Sequence, residues 1–218
     1  MSTNELIEAL WVATKETFYM VGISMLIAIV VGTVLGLILY ITSSPLLYPN
    51  KVINAISGFV INVIRSIPFI ILLVLLYPFT EFLLHTTIGA KAVTVPLTVA
   101  AIAFLARLVE GAFAEIDKGV IEASLAMGAS VKDIICDVLL VEALPGIIRA
   151  ITVTIISMIG YSSMAGTVGG GGIGDLAIRY GYQRYQTDVL IITVIILVIA
   201  VQLIQLIGEK IAVRITKK

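Results

Sequence analysis

The stretch FYMVGISMLIAIVVGTVLGLILYI, from Phe18 to Ile41, carries no charged side chain and no apolar–polar alternation. A helix needs about 20 such residues to cross a bilayer. A lipid-embedded backbone must satisfy its own hydrogen bonds, which leaves helices or closed barrels. Barrel strands alternate in segments of about ten residues, so a continuous apolar run predicts a helix. Within it, Gly32-Thr33-Val34-Leu35-Gly36 has the small-xxx-small spacing that lets a second helix approach closely. The general abundance of glycine in membrane helices accounts for the same residues without a partner.

Outward from this run, four more apolar segments follow: Val52 to Leu84, Ala92 to Phe113, Ile147 to Val168 and Val189 to Ile211. The first of these is too long for one straight span and contains Arg65, Pro68 and Pro78. Its early part is expected in or near the interface, with the span proper after Arg65. The whole chain of 218 residues is 60% apolar and 13% charged, with a mean hydropathy of +1.13. Its solvent is therefore largely lipid. The expected fold is an all-α membrane protein with five transmembrane helices in a single domain, 1–218. Zero net charge offers nothing to nucleic acid. Cys136 is the one cysteine, so neither an internal disulfide nor a metal cluster is expected. The start, Met1 to Glu5, lacks the basic region of a signal peptide, and the first apolar run is too long for one; the N-terminus is expected to be retained.

Five spans put the termini on opposite sides, and the bias of Lys and Arg orients them. With the C-terminus in the cytoplasm, that side holds Lys51, Lys118, Lys132, Arg149, Lys210, Arg214, Lys217 and Lys218. The other side holds Lys15, Lys91, Arg179 and Arg184. The N-terminus is thus expected outside, the loop from about Glu115 to Pro145 in the cytoplasm, and the Gly-rich loop from Gly169 to Asp188 outside.

The cytoplasmic loop is the most informative part. Glu122-Ala123-Ser124-Leu125-Ala126-Met127-Gly128 reads as a short helix ended by a glycine suited to the left-handed conformation. Ser130-Val131-Lys132-Asp133 reads as a capping box opening a second helix, which Pro145-Gly146 ends. Ala123, Ala126 and Met127 offer a small apolar face. A mere connection would be short and polar; this loop is shaped for docking.

These residues resemble the EAA motif of the membrane-spanning subunits of binding-protein-dependent ABC importers, the ABC transmembrane type-1 family. That motif runs Glu-Ala-Ala, three residues, Gly, nine residues, then Ile-x-Leu-Pro. Glu122, Ala123 and Ser124 take its first three positions, Gly128 its glycine, and Val138 to Val141 its end, with Val141 where proline is expected. Arg65 to Leu72, Val95 to Thr98, Ile121 to Gly128, Glu142 to Gly146 and Gly160 to Met164 are together similar to the permeases of methionine importers. The likeness implies a family core at about 14–208 and a multi-pass subunit of a prokaryotic inner or plasma membrane. It implies a pathway built by two copies of the chain, two separate ATP-binding subunits beneath, and an extracytoplasmic substrate-binding protein that delivers a small amino acid. Glu122, Ala123, Ser124, Ala126, Met127 and Gly128 would form the coupling helix. ATP and Mg would be bound by the partner ATPase, with no cofactor or metal in this chain, which itself does no covalent chemistry.

Tyr161, Ser162, Ser163 and Met164 interrupt the Ile and Val of the fourth span. They can line a pathway, with Met164 adapting to an apolar side chain, or they can serve helix packing with the serines bonded to backbone. Arg65, Arg107 and Glu110 lie in or beside apolar spans, where ionisable groups are functional candidates. Arg107 and Glu110 can pair at three residues' distance, and both arginines are expected to snorkel toward the cytoplasmic interface. Gly169 to Gly174 lacks the Lys-Ser/Thr ending of a phosphate loop and is expected to be a flexible loop touching the delivery protein, or a plain turn. His85 is expected to be a solvated loop residue, Cys136 a small packing residue. Asp175, Arg179, Arg184, Asp188 and Tyr180, Tyr182 and Tyr185 form a polar, aromatic outer segment. A permease for another amino acid and a self-sufficient secondary transporter are the competing functions; the latter lacks the visible repeat such folds show. A serine protease reading fails for want of a base near Ser162 and Ser163.

Overall fold

The computed structural model describes residues 3–216, and those residues form helices joined by short turns, with no strand among them. The first apolar run is the middle of a much longer helix, α1 (Thr3–Ser43), of 41 residues. At 1.5 Å per residue that is about 60 Å, twice the ~30 Å of a hydrocarbon core. No glycine or proline lies between Thr3 and Thr17 to stop it, so the helix runs on before Phe18, carrying Glu5, Glu8, Lys15 and Glu16.

The second apolar region is broken into three. Helix α2 (Lys51–Ser66) meets α3 (Phe69–Leu75) at 106°, and α4 (Tyr77–Leu84) follows. The breaks fall where proline dictates. Ile67, preceding Pro68, is extended at φ −84°, ψ 123°, as the residue before a proline must be. Pro78 occupies the first turn of α4, where its missing N–H is harmless. Helix α2 lies against α1 and against α5 (Ala90–Ala114). Asn54 Nδ2 donates to the Leu39 carbonyl (2.9 Å) and Thr42 Oγ1 (3.1 Å), while Ile61 is buried in a cluster with Leu39, Ala103 and Ala106. Four helices are long and apolar enough to cross a membrane, and the bent α2–α3 pair brings the number to five.

Helix α5 is the axis of the fold, with Leu97, Ala101, Leu105, Val109 and Phe113 fully buried. Helix α1 packs on it through the small-residue spacing: a Cβ on Gly32 would lie 3.2 Å from the Ile102 carbonyl oxygen, and one on Gly36 would lie 2.6 Å from that of Ala106. Helices α9 (Leu144–Ala165) and α11 (Thr187–Thr216) complete the bundle, and Gly208 of α11 seats directly on Thr152 of α9. Between them run a 3-10 turn (Gly166–Val168), the short α10 (Gly172–Leu176) and a π-helical turn (Ala177–Tyr182).

The glycine-rich stretch is a tight corner and no loose loop. Gly169, Gly171 and Gly172 have φ of +80°, +75° and +82°. The corner is tied to the extension of α1: Glu16 Oε2 accepts from Gly172 N (2.7 Å) and Thr17 Oγ1 from Ile173 N (2.9 Å). These side chains satisfy donors that the start of α10 leaves without intrahelical partners, which gives the additional length of α1 a structural purpose. His85 caps α4 in the left-handed conformation (φ 55°) and is exposed, as expected.

Candidate functional site

Two places in the fold gather the residues singled out from the sequence. The first is the hairpin between α5 and α9. Helix α6 (Lys118–Ala126) opens at Asp117, whose Oδ1 accepts from Gly119 N at 2.8 Å. Ile121 and Ser124 turn inward and are buried, and Ser124 Oγ donates to the Val120 carbonyl (2.8 Å). Glu122, Ala123, Ala126 and Met127 face outward, Met127 at 82% exposure. The helix ends as its glycine predicts: Gly128 adopts φ +87°, Gly128 N donates to the Leu125 carbonyl (3.0 Å) and Ala129 N to that of Ser124 (3.1 Å). This pair of bonds is the Schellman arrangement.

The return arm begins two residues later. Ser130 caps α7 (Val131–Asp133) through a capping box: Asp133 N donates to Ser130 Oγ (3.3 Å), and Ser130 N donates to Asp133 Oδ2 (3.1 Å). The hydroxyl and amide of Ser130 both donate to the Asp133 carboxylate and hold its pKa below the usual carboxylate range. A π-helical segment (Ile134–Leu139) and α8 (Leu140–Glu142) continue the arm. Ile121, Ile134 and Leu139 join Phe113, Ile116 and Ala143 in the main core, so the hairpin is packed onto the feet of α5 and α9. Val141, at the motif's proline position, is exposed and leaves the helix intact; the break comes at Ala143, and Pro145 sits in the first turn of α9. Cys136 is exposed, contrary to the packing role expected for it, because Ile134 and Leu139 take the inward positions of the π segment.

The second place is α9 near Tyr161. The four consecutive residues do not form one site, since neighbours on a helix point about 100° apart. Ser162 Oγ and Ser163 Oγ both donate to the Ile159 carbonyl, at 2.8 and 3.1 Å. Gly174 packs on the backbone of Ser163, and Met164 is half exposed at the surface. The serine hydroxyls are thus occupied with packing. Tyr161 differs: its ring stacks on Phe69 at 4.8 Å with 6° between planes. Both rings line a cavity of about 110 Å³ together with Arg65, Phe104, Leu72 and Ala100. The reading of the sequence gave Phe69 and Phe104 no role; the signal for them was the coincidence of Arg65 and Pro68 in an apolar run.

Arg107 and Glu110 are paired, as expected, and Arg107 Nη2 also donates to Asn62 Oδ1 (2.7 Å). Arg149 bridges to Glu209 at 3.3 Å. At the far end of the bundle, Glu8 and Glu16 of α1 face Asp175, Arg179, Tyr180 and Arg184 across an open cleft of about 630 Å³. Arg179 pairs with Asp175, and Arg184 lies 4.5 Å from the Tyr180 ring.

Residues 28–217 match the family "Binding-protein-dependent transport system inner membrane component". The chain belongs to this family. Among relatives of this inner membrane component, the "Probable D-methionine transport system permease protein MetI" of Vibrio cholerae is 45% identical, covering 95% of this chain and 92% of its own. The "Methionine import system permease protein MetP" of Bacillus subtilis is 46% identical over 96% of this chain and 94% of its own. A solved chain from "Inward facing conformations of the MetNI methionine ABC transporter" superposes with a TM-score of 0.91 at 43% identity, covering 99% of both chains. A chain from an amino acid ABC transporter shares the fold, with a TM-score of 0.80 at 18% identity. The inner membrane component is a translocation subunit with several membrane helices.

Proposed function

We propose that this chain is the permease of an ATP-driven methionine importer, in which two copies form the pathway and two separate ATPase subunits energise it. The observation that carries the reading is the likeness to the MetNI permease chain over 99% of both chains at 43% identity. At that identity the bundle and its cytoplasmic hairpin can be compared residue by residue. The chain acts as a single domain, 1–218, with a core at about 14–208, in a prokaryotic inner or plasma membrane. Its N-terminus lies outside and its C-terminus in the cytoplasm, in keeping with the Lys and Arg bias.

In this reading α6 is the coupling helix. Its outward residues Glu122, Ala123, Ala126 and Met127 enter a groove on an ATPase subunit, Ser124 fixes the helix from within, and Gly128 turns the chain away. Because the hairpin shares the core of α5 and α9, closure of the ATPases can tilt those helices as one body. ATP and Mg bind the ATPase partner, and this chain supplies neither cofactor nor metal ligands. The extracytoplasmic binding protein docks on the α10 side. Tyr161 is the strongest pathway residue of the four in its segment; Ser162 and Ser163 shape the helix, and Met164 faces the second copy.

Purification of the tagged chain from its native membrane, followed by identification of co-purified subunits and vesicle uptake assays, tests the proposal. An ATP-binding subunit recovered in equal amount, with methionine uptake that requires ATP, is the expected result. Uptake by the isolated chain without ATP would overturn it in favour of a secondary transporter.

A further inference from the structure

Arg65 ends α2 at the 106° bend into α3. Among the described residues its guanidinium has no carboxylate and no hydrogen-bond partner; its contact is the ring of Phe104, 6.0 Å away. The other span-embedded arginine, Arg107, is neutralised by Glu110, and Arg149 and Arg179 are also paired. Arg65 is exposed on the surface of the single chain and lines a cavity with Ala100 and Phe104, near the middle of the 25-residue α5; within a bilayer that is a costly place for a cation with no counter-charge.

The surroundings mix polar and apolar side chains. Where α1 and α11 meet solvent they expose branched aliphatics, such as Leu26, Val30 and Val34 or Val194, Val198 and Leu203. Beside Arg65 the polar Asn62 and Ser66 are exposed together with the apolar Val63. Inward, the cavity of about 110 Å³ opens between the guanidinium and the stacked rings of Phe69 and Tyr161. One water needs about 10–15 Å³ by this measure, so a ligand of several heavy atoms fits. A guanidinium binds carboxylates through two parallel hydrogen bonds, and a thioether packs favourably on aromatic rings.

We propose that Arg65 reads the carboxylate of the transported amino acid at the broken second span, while Phe69, Phe104 and Tyr161 receive its apolar side chain. The proposal rests on the importer reading above and deepens it. The substrate carboxylate supplies the missing counter-charge only while substrate is present, so the site is charged for arrival and indifferent to neutral solutes.

The test uses the purified permease–ATPase complex without its binding protein, so that recognition by the delivery protein does not mask the site. Radiolabelled methionine is measured by equilibrium dialysis, with methioninol, which lacks the carboxylate, as competitor. Wild type should bind methionine, and methioninol should compete at least tenfold less well than unlabelled methionine. Arg65→Gln should lose binding at least tenfold while the permease and ATPase subunits still co-purify as one complex; Arg65→Lys should recover part of the binding. Equal competition by methioninol, wild-type binding by Arg65→Gln, or no measurable binding by wild type would each overturn the proposal. An Arg65→Lys variant that matches wild type while Arg65→Gln loses the assembled complex would assign the residue to a lipid phosphate instead. Failure of the importer reading has a separate signature, the absence of ATP-driven methionine uptake by the wild-type complex with its binding protein.

Discussion

At Gly128 the backbone takes φ +87°, and no atom lies within 4 Å of where a Cβ would stand. A side chain there is opposed by torsion and not by crowding, a difference that can be tested. Gly128→Val forces a β-branched residue into the left-handed region, at a cost of about 1–2 kcal/mol, and should relax the corner that aims α6. Gly128→Asn, which tolerates that region, should not. In the reconstituted transporter, Gly128→Val is expected to keep hydrolysing ATP while uptake falls several-fold, and Gly128→Asn to stay near wild type; equal behaviour of the two would detach the corner from coupling. Asp133, on the other arm, gives a pH dependence. Its carboxylate is favoured in the charged form by the hydroxyl and amide of Ser130, so its folded pKa lies below the unfolded value of about 3.9. The stability it lends is complete above that value and is lost as pH falls through the lower folded one. Hydrogen-exchange protection of the amides of Ser130 and Asp133 should therefore hold between pH 7 and 5 and decline only in stronger acid, and Asp133→Asn should flatten that decline. Thr80 is the converse case, since its Oγ1 is buried without a hydrogen-bond partner among the described residues. Thr80→Val removes an unsatisfied hydroxyl at constant shape and should leave thermal stability in detergent unchanged or raised by about 1 kcal/mol.

The helices show which features of the sequence carry structural information. Continuous apolar runs located α1, α5, α9 and α11, and the spacing of Gly32 and Gly36 anticipated the contact of α1 with α5. The capping box and the Gly128 turn were legible because both are local, each depending on fewer than half a dozen neighbouring residues. What was not legible depends on partners distant in the chain. The extension of α1 before Phe18 mixes charged with apolar residues and forms no continuous apolar run; its purpose emerges only when Glu16 and Thr17 meet the amides of Gly172 and Ile173, 156 positions later. The same is true of α2, whose Asn54 donates to Leu39 of α1 before it and whose Asn62 accepts from Arg107 of α5 after it. The four pathway candidates spread around α9 because contiguity in sequence is divergence on a helix, whereas Tyr161 and Phe69 meet across two elements. The contact of α1 with α5 also predicts its own weak point. A Cβ on Gly36 would press on the Ala106 carbonyl at 2.6 Å and on Val109 Cβ at 2.8 Å, while Gly22 on the same helix has nothing within 4 Å. Gly36→Val should destabilise the purified protein by about 1–3 kcal/mol through overpacking and Gly22→Ala should be nearly silent, as read from thermal unfolding in detergent.

The surface of the whole molecule is not uniform, and its asymmetry bears on assembly. Helix α11 is almost unburied along its length and exposes Ile191, Val194, Ile195, Val198 and Leu203, a surface suited to acyl chains. On α9 and the 3-10 turn that continues it the outward stripe is different: Val153, Gly160, Met164 and Thr167 are exposed, with Ser157 partly so. Their spacing of seven residues over two turns keeps them on one face. Small and hydroxyl-bearing side chains gain little from lipid but allow a second helix to come close and bond. A symmetric pair of permeases buries the same patch on both copies, so α9 is the face expected at the twofold axis and α11 the face expected in lipid. Single cysteines separate the two, once the exposed Cys136 is replaced by serine. A cysteine at Gly160 or Met164 should join two copies through a short bis-maleimide in native membranes, giving a band at twice the chain mass, and one at Val198 should not. Cross-linking at Val198 with none at Gly160 and Met164 would place α11 at the axis, and would also remove Tyr161 and the Arg65 cavity from the neighbourhood of any pathway between the copies.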